Sequence, residues 1–231
     1  MAEDAGSLYL VLVGPPGTGK GTQAKLIAQR LGLAHIATGD LFREAVQQGT
    51  ELGRRAKAYM DKGELVPDDL IIRIILERIS RPDGDKGVIL DGFPRTVPQA
   101  RALEQALGRE GQTIDMALSI NVSEEELVRR LSGRWICRKC AAIYQESSNP
   151  PKVAGVCDNC GGELYQRDDD RAETVRTRLE KQKPPQELLD YFHVLGIFSE
   201  VDGEQPLDAV TAQIAKLIDR KIDGKSNGHS H

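Results

Sequence analysis

The sequence predicts an α/β fold, a parallel sheet flanked by helices, carrying one small inserted unit. Three observations predict it. Short, continuously apolar runs such as Tyr9-Leu10-Val11-Leu12-Val13 and Val88-Ile89-Leu90 read as strands buried on both faces. Segments with apolar residues at helical spacing alternate with those runs, as parallel strands joined by crossover helices require. Between Gly133 and Asp170 both periods stop, and that segment holds all four cysteines, the Pro150-Pro151 pair and Gly161-Gly162.

Each element follows from its residues. The first strand, 9–13, runs into Gly14-Pro-Pro-Gly-Thr-Gly-Lys-Gly-Thr22, after which Ala24, Ile27, Ala28 and Leu31 define a helix that Gly32 stops. A helix from about Pro67 places Ile71, Ile72, Ile75, Leu76 and Ile79 on one face. Proline fits its first turn, and Asp68 and Asp69 suit the positive end of its dipole. Val88-Ile89-Leu90 is a strand ending at Asp91, and residues 117–122 are a third. Ser123 and Glu126 have capping-box spacing at the head of a helix through Leu131. Helix resumes at Arg171, where Arg171 and Arg178, seven residues apart, are expected on one face. Pro184-Pro185 interrupts it, and a last strand is expected near 197–201. Leu207, Val210, Ile214, Leu217 and Ile218 mark a terminal amphipathic helix, and the polar tail from Gly224 is expected to be disordered.

Composition narrows the function classes. The 231 residues carry 31 basic and 35 acidic side chains, a formal charge of -4, so a basic nucleic-acid binder is disfavoured. No apolar run is long enough to span a membrane, and the small, acidic start lacks a signal-peptide layout, so a cytoplasmic chain is expected. No exposed heptad argues for assembly, so a monomer is expected. Arginine outnumbers lysine 19 to 12, which suits phosphate or carboxylate recognition because the guanidinium is a planar, permanently charged fork.

Gly14-x4-Gly19-Lys20 is a P-loop core in the required strand-to-helix setting. Glycines let successive N–H groups turn inward at a helix N-terminus, and the lysine adds a compact cation. Gly17, Thr18, Gly19, Lys20, Gly21 and Thr22 are therefore candidate residues for binding a nucleotide's phosphates. The hydroxyl residue that usually follows the lysine and binds Mg²⁺ is replaced by Gly21. Mg²⁺ is accordingly expected on nucleotide oxygens and waters, with Asp91 as an anchor.

Cys137-x2-Cys140 and Cys157-x2-Cys160, separated by 16 residues, have zinc-knuckle spacing. Four thiolates complete a tetrahedral site and leave no open position, so a structural Zn²⁺ is expected, with disulfides as the alternative. Zinc ribbons also occur in nucleic-acid binders, but Asp158, Glu163 and Asp168-Asp169-Asp170 would repel a phosphate backbone.

These motifs together resemble the adenylate kinase family. Besides the glycine-rich loop, Thr38-Gly-Asp-Leu-Phe-Arg43 is similar to that family's monophosphate-site motif and Asp91-Gly-Phe-Pro-Arg-Thr96 to its signature segment. Arg167, Asp169, Asp170, Arg171 and Arg178 resemble the stretch that closes its lid. The likeness covers about residues 8–222. It implies a P-loop kinase core (8–36, 67–132 and 171–222), a small helical AMP-binding segment (37–66) and an inserted zinc-ribbon-like lid (133–170), with flexible tails at 1–7 and 223–231. The implied activity is reversible phosphoryl transfer from ATP to AMP, giving two ADP, with Mg²⁺ accompanying ATP.

The resemblance also implies residue roles. Lys20, Arg95, Arg134, Arg167 and Arg178 would be catalytic. Arg134, Ile143, Tyr144 and Gln205 would join the loop in binding ATP. Thr38, Arg43, Glu64, Leu65, Val66, Gly92, Phe93, Pro94, Arg95, Gln99, Arg167 and Arg178 would bind AMP, with Thr38 and Gln99 beside the adenine. Arg101, Arg109 and Arg220 read as ordinary surface arginines, and His35 and His193 as packing or surface residues. The rival readings are a kinase for another nucleoside monophosphate, a GTP-binding switch (disfavoured without an Asn-Lys-x-Asp segment) and a zinc-ribbon nucleic-acid module.

Overall fold

In the computed structural model, which describes residues 7–62, 64–81, 83 and 86–228, five parallel strands form the central sheet. They are β1 (Leu8–Val13), β2 (Ala34–Ala37), β3 (Gly87–Asp91), β4 (Met116–Asn121) and β8 (Phe198–Asp202), in the order β2-β3-β1-β4-β8. The register is direct: Leu10 pairs with Ile89 on one side and Met116 on the other.

Every residue of β1 is buried, because alternate side chains enter different layers. Tyr9, Val11 and Val13 pack with Ala100, Leu103 and Leu107 of α5 (Val97–Gly108) and with Leu188 and Phe192 of α8 (Gln186–Val194). Leu8, Leu10 and Leu12 pack with Ala24 and Ile27 of α1 (Lys20–Leu31) and with Val210, Ile214 and Ile218 of α9 (Leu207–Gly228). The result is a three-layer sandwich whose strands all end on the same side.

Around that side lie three further groups of elements. The first is the pair α2 (Thr38–Gln47) and α3 (Glu51–Met60), followed by α4 (Asp68–Ile79). The second is α6 (Glu124–Ser132) packed on α7 (Ala172–Gln182) through Leu127, Leu131, Val175 and Leu179. The third is a three-stranded antiparallel sheet of β5 (Arg134–Cys137), β6 (Ile143–Gln145) and β7 (Leu164–Tyr165), centred on β5.

Four details differ from expectation. β2 was not anticipated: Ala34-His35-Ile36-Ala37 is too short and too mixed to read as a strand, yet it pairs with β3 along its length. Ser123 does not form a capping box. Its N–H donates to Glu204 Oε1 at 2.8 Å, while Glu126 accepts from Arg129 and Arg130, whose charged donors outbid a neutral amide. Arg171 and Arg178 do not share a helix face, because Arg171 is the extended N-cap residue of α7, exposed and paired with Asp168.

The expected flexible tail is helical as far as Gly228. Ile222 continues the stripe of Ile214 and Ile218, and Lys225 Nζ lies 2.6 Å from the buried Asp115 Oδ1 while donating to the Ser7 carbonyl. The remaining tail residues, 1–6 and 229–231, fall outside the described residues.

Candidate functional site

The glycine-rich loop lies between β1 and α1. Gly19, with a left-handed backbone (φ 96°), is the N-cap of α1, and no side chain caps that helix, so its end is open to an anion. Thr18 and Lys20 are buried, Lys20 only 8% exposed. Lys20 Nζ donates to the Pro15 carbonyl at 2.7 Å and lies 3.4 Å from Thr18 Oγ1. Burial lowers its pKa to about 7, with Asp91 opposing and the charges of Arg95, Arg178 and Arg134 assisting.

Asp91, at the end of β3, accounts for Gly21. A Cβ at residue 21 would stand 3.1 Å from Asp91 Oδ2, so the carboxylate occupies the space a larger residue would need. Burial alone would raise the Asp91 pKa, but His35 and the charges of Lys20 and Arg95 hold it below the usual carboxylate value. His35 Nε2 is 3.9 Å from Asp91 Oδ2, so this histidine backs the carboxylate from β2. His193 packs against Phe198, and Arg101, Arg109 and Arg220 are exposed, Arg101 beside the Tyr191 ring.

A second cleft opens beside the loop. Its lining includes Thr38, Arg43, Glu64, Leu65, Val66, Arg95, Gln99 and Arg178. Gly92 and Pro94 line an adjoining recess with Arg95. Phe93 is fully buried in the core, so only its backbone is available to the cleft. Thr38 at the head of α2 donates its hydroxyl to the Gly92 carbonyl at 3.1 Å. The Gln99 amide is also engaged: its Oε1 accepts from the Arg95 backbone N–H at 2.7 Å.

The arginines are held by carboxylates whose part the sequence did not reveal. Asp170, 0% exposed, accepts two parallel bonds from Arg134 at 2.6 and 2.8 Å and one from Arg178 at 2.6 Å. Asp169 lies 3.2 Å from Arg178. Asp40 pairs with Arg43 at 2.5 Å and reaches Arg167 at 3.4 Å, joining α2 to the strand exit near β7. Arg95 Nε donates to the Gly92 carbonyl and Nη1 to Gln182 Oε1. Burial lowers the pKa of Arg167 to about 10, with Arg43 and Arg134 adding repulsion, and it lowers those of Arg95 and Arg178 as well. Guanidiniums this crowded favour a site that receives anions. The partners 36 and 127 residues away in sequence left no local signal.

The remaining expected ATP-binding residues lie farther out. Ile143 is exposed on β6, and Tyr144 is buried with its Oη 3.4 Å from Cys157 Sγ. Gln205, between β8 and α9, accepts from Gln213 Nε2 at 2.6 Å.

Cys137, Cys140, Cys157 and Cys160 converge, with all four sulfurs within 4.8 Å of one another. The N–H groups of Lys139 and Cys140 point at Cys137 Sγ, at 3.3 and 3.5 Å. Each pair turns the chain in the same way: Ala141 N–H donates to the Cys137 carbonyl and Gly161 N–H to the Cys157 carbonyl, both residues being left-handed (φ 55° and 67°). Backbone donors aimed at a sulfur stabilise thiolate, so this all-sulfur set fits a tetrahedral soft-metal site.

The family model for adenylate kinase matches residues 12–197. The chain belongs to the adenylate kinase family. Its relatives include the adenylate kinase of Carboxydothermus hydrogenoformans, 52% identical over 216 residues, covering 92% of this chain and all of the relative. The adenylate kinase of Methanocella arvoryzae is 50% identical over 216 residues, covering 93% and 100%. That of Archaeoglobus fulgidus is 50% identical over 214 residues, covering 92% and 99%. The parallel sheet, the loop and the second cleft thus belong to an adenylate kinase architecture.

Proposed function

We propose that this chain catalyses reversible phosphoryl transfer from ATP to AMP, giving two ADP, as a monomeric cytoplasmic enzyme of adenine nucleotide balance. One observation carries the reading: Arg95 and Arg178 both line the second cleft and act electrostatically on Lys20 in the loop. Two phosphate sites that share two arginines allow a phosphoryl group to pass from one to the other.

In this reading Gly17 to Thr22 and the open N-terminus of α1 hold the donor phosphates, with Arg134, Ile143, Tyr144 and Gln205 towards the rest of ATP. Arg43, Arg95, Arg167 and Arg178 hold the acceptor, whose base lies among Thr38, Glu64 to Val66, Gly92 to Pro94 and Gln99. Among the described residues, Lys20 and the five arginines are countered chiefly by Asp40, Asp91, Asp169 and Asp170, a local excess of positive charge on a chain of net charge -4. Incoming phosphates replace carboxylates as guanidinium partners, so catalysis comes from positioning and charge matching rather than from a titrating base. Mg²⁺ bound with ATP supplies further neutralisation, and Asp91 beside Gly21 is placed to anchor its waters.

The supporting division is a core with an AMP-binding segment at 37–66 and a lid at 133–170. Closure of both would exclude the water that otherwise hydrolyses ATP. The four thiolates hold a structural Zn²⁺ that gives the small lid a centre it cannot build from apolar residues alone. No helix of the described residues is long and apolar enough to cross a membrane.

The test is ADP formation from ATP, AMP and Mg²⁺ in a coupled assay, with CMP, UMP and GMP as competing acceptors. Preference for AMP supports the reading. Tight nucleotide binding without ADP formation overturns it. Elemental analysis of gently purified protein should find one zinc per chain, and its absence would remove the metal from the account.

A further inference from the structure

The amide in the acceptor cleft cannot turn. Gln99, 1% exposed on the first turn of α5, accepts the Arg95 N–H through Oε1 at 2.7 Å and donates from Nε2 to Asp68 Oδ1 at 2.6 Å. Its polarity is fixed by its neighbours. A backbone N–H only donates, and the Asp68 carboxylate already accepts the Thr96 hydroxyl at 2.8 Å through its other oxygen. Asp68 reaches this amide from a different helix, the first turn of α4.

One N–H and one lone pair of the amide remain for a ligand. With the oxygen held towards Arg95 and the nitrogen towards Asp68, those two groups present a fixed order of acceptor and donor. A 6-aminopurine offers a ring acceptor at N1 beside an amino donor. A 6-oxopurine offers N1–H beside a carbonyl, which is the reversed order. An amide free to flip could serve both.

We propose that Asp68 is a positioning residue that sets base selectivity in the acceptor cleft, locking the Gln99 amide in the orientation that takes a 6-aminopurine and refuses a 6-oxopurine. This rests on the phosphotransfer reading above. A site built around one hydrogen-bond order rejects the reversed order strongly, because its buried groups would be left unpaired.

The experiment compares wild type, D68A, D68N and T96A with ATP, Mg²⁺ and either AMP or IMP as acceptor, IMP also being titrated as an inhibitor against AMP. In D68A only the Arg95 N–H still orients the amide, so the preference for AMP over IMP should narrow by about threefold or more. The change should fall mainly on KM and on the IMP inhibition constant, with kcat for AMP within about threefold of wild type. D68N should keep the preference, since its Oδ1 can still accept from Gln99 while its Nδ2 turns to the Thr96 oxygen. T96A, which removes the N-cap of α5, should melt at lower temperature yet keep the preference. Should D68A not fold, D68S repeats the test with a polar group kept at the α4 terminus.

A folded D68A or D68S with the wild-type preference overturns the inference, as does T96A narrowing the preference as much as D68A. Wild-type protein that makes no ADP from ATP and AMP overturns the phosphotransfer reading and this inference with it. Wild-type turnover beside an unchanged D68A preference removes the inference alone.

Discussion

Lys20 is a cation kept from water beside other cations, and its behaviour should betray that. With a pKa near 7 in the ligand-free cleft, it is mostly neutral at pH 8. An arriving phosphate favours the charged form, so nucleotide binding takes up a proton above pH 7 and weakens as pH rises, by up to about tenfold per unit. Calorimetry at pH 8 in two buffers of different ionisation enthalpy should show close to one proton taken up, and zero uptake would mean that the lysine is already charged. The same shift has a sign for stability: as pH rises from about 7 to the ordinary lysine value, the unfolded lysine holds a proton that the folded one lacks, so this group's contribution grows. Replacing Arg95 or Arg167 by alanine should lower turnover on the order of 10³-fold, the scale of an arginine that stabilises transferring charge. A loss below tenfold for both would remove them from the chemistry. Lys20 was expected from the local spacing of its loop, and Arg95 and Arg167 from their places in motifs that resemble the family's. Their carboxylate partners were not, since Asp40 meets Arg167 and Asp170 meets Arg134 only after the chain has folded.

At the scale of elements, buried parallel strands and proline-marked helix starts were readable because each writes its period into a few consecutive residues. β2 escaped because four residues carry no clear period, and the Ser123 capping box failed because Glu204, far along the chain, supplied a better acceptor. The cysteine knuckles offer a sharper case. They repeat one turn, but the left-handed position after the second cysteine is Gly161 in one and Ala141 in the other. A side chain there costs about 1–2 kcal/mol, of which glycine's greater freedom in the unfolded chain returns part. Ala141→Gly should therefore stabilise the metal-loaded knuckle by up to ~1 kcal/mol, read as a higher melting temperature or slower zinc loss to a chelator. A lower melting temperature would show that the alanine methyl packs usefully.

For the whole molecule, the end of α9 closes the side of the sheet opposite the nucleotide clefts. Asp115 is buried between strands, with one oxygen accepting the Tyr9 N–H and the other facing Lys225. Removing residues 223–231 strips that carboxylate of its cation. The loss should be about 1–3 kcal/mol, less than for a fully buried pair because the Lys225 side chain is 32% exposed, visible as a lower denaturation midpoint with little change in KM for either nucleotide. A truncated chain as stable as the full one would make the extension dispensable. On the other side, Arg134 and Asp170 stand 36 residues apart in sequence yet are clasped by two parallel bonds. The intervening segment is therefore a detour whose ends are tied to the core by this clasp and by Gln145 and Gln166, which donate to the Arg130 and Ser132 carbonyls. Another cover grafted between these ends would have to reproduce those ties, which sets the terms on which protein engineers could exchange the segment.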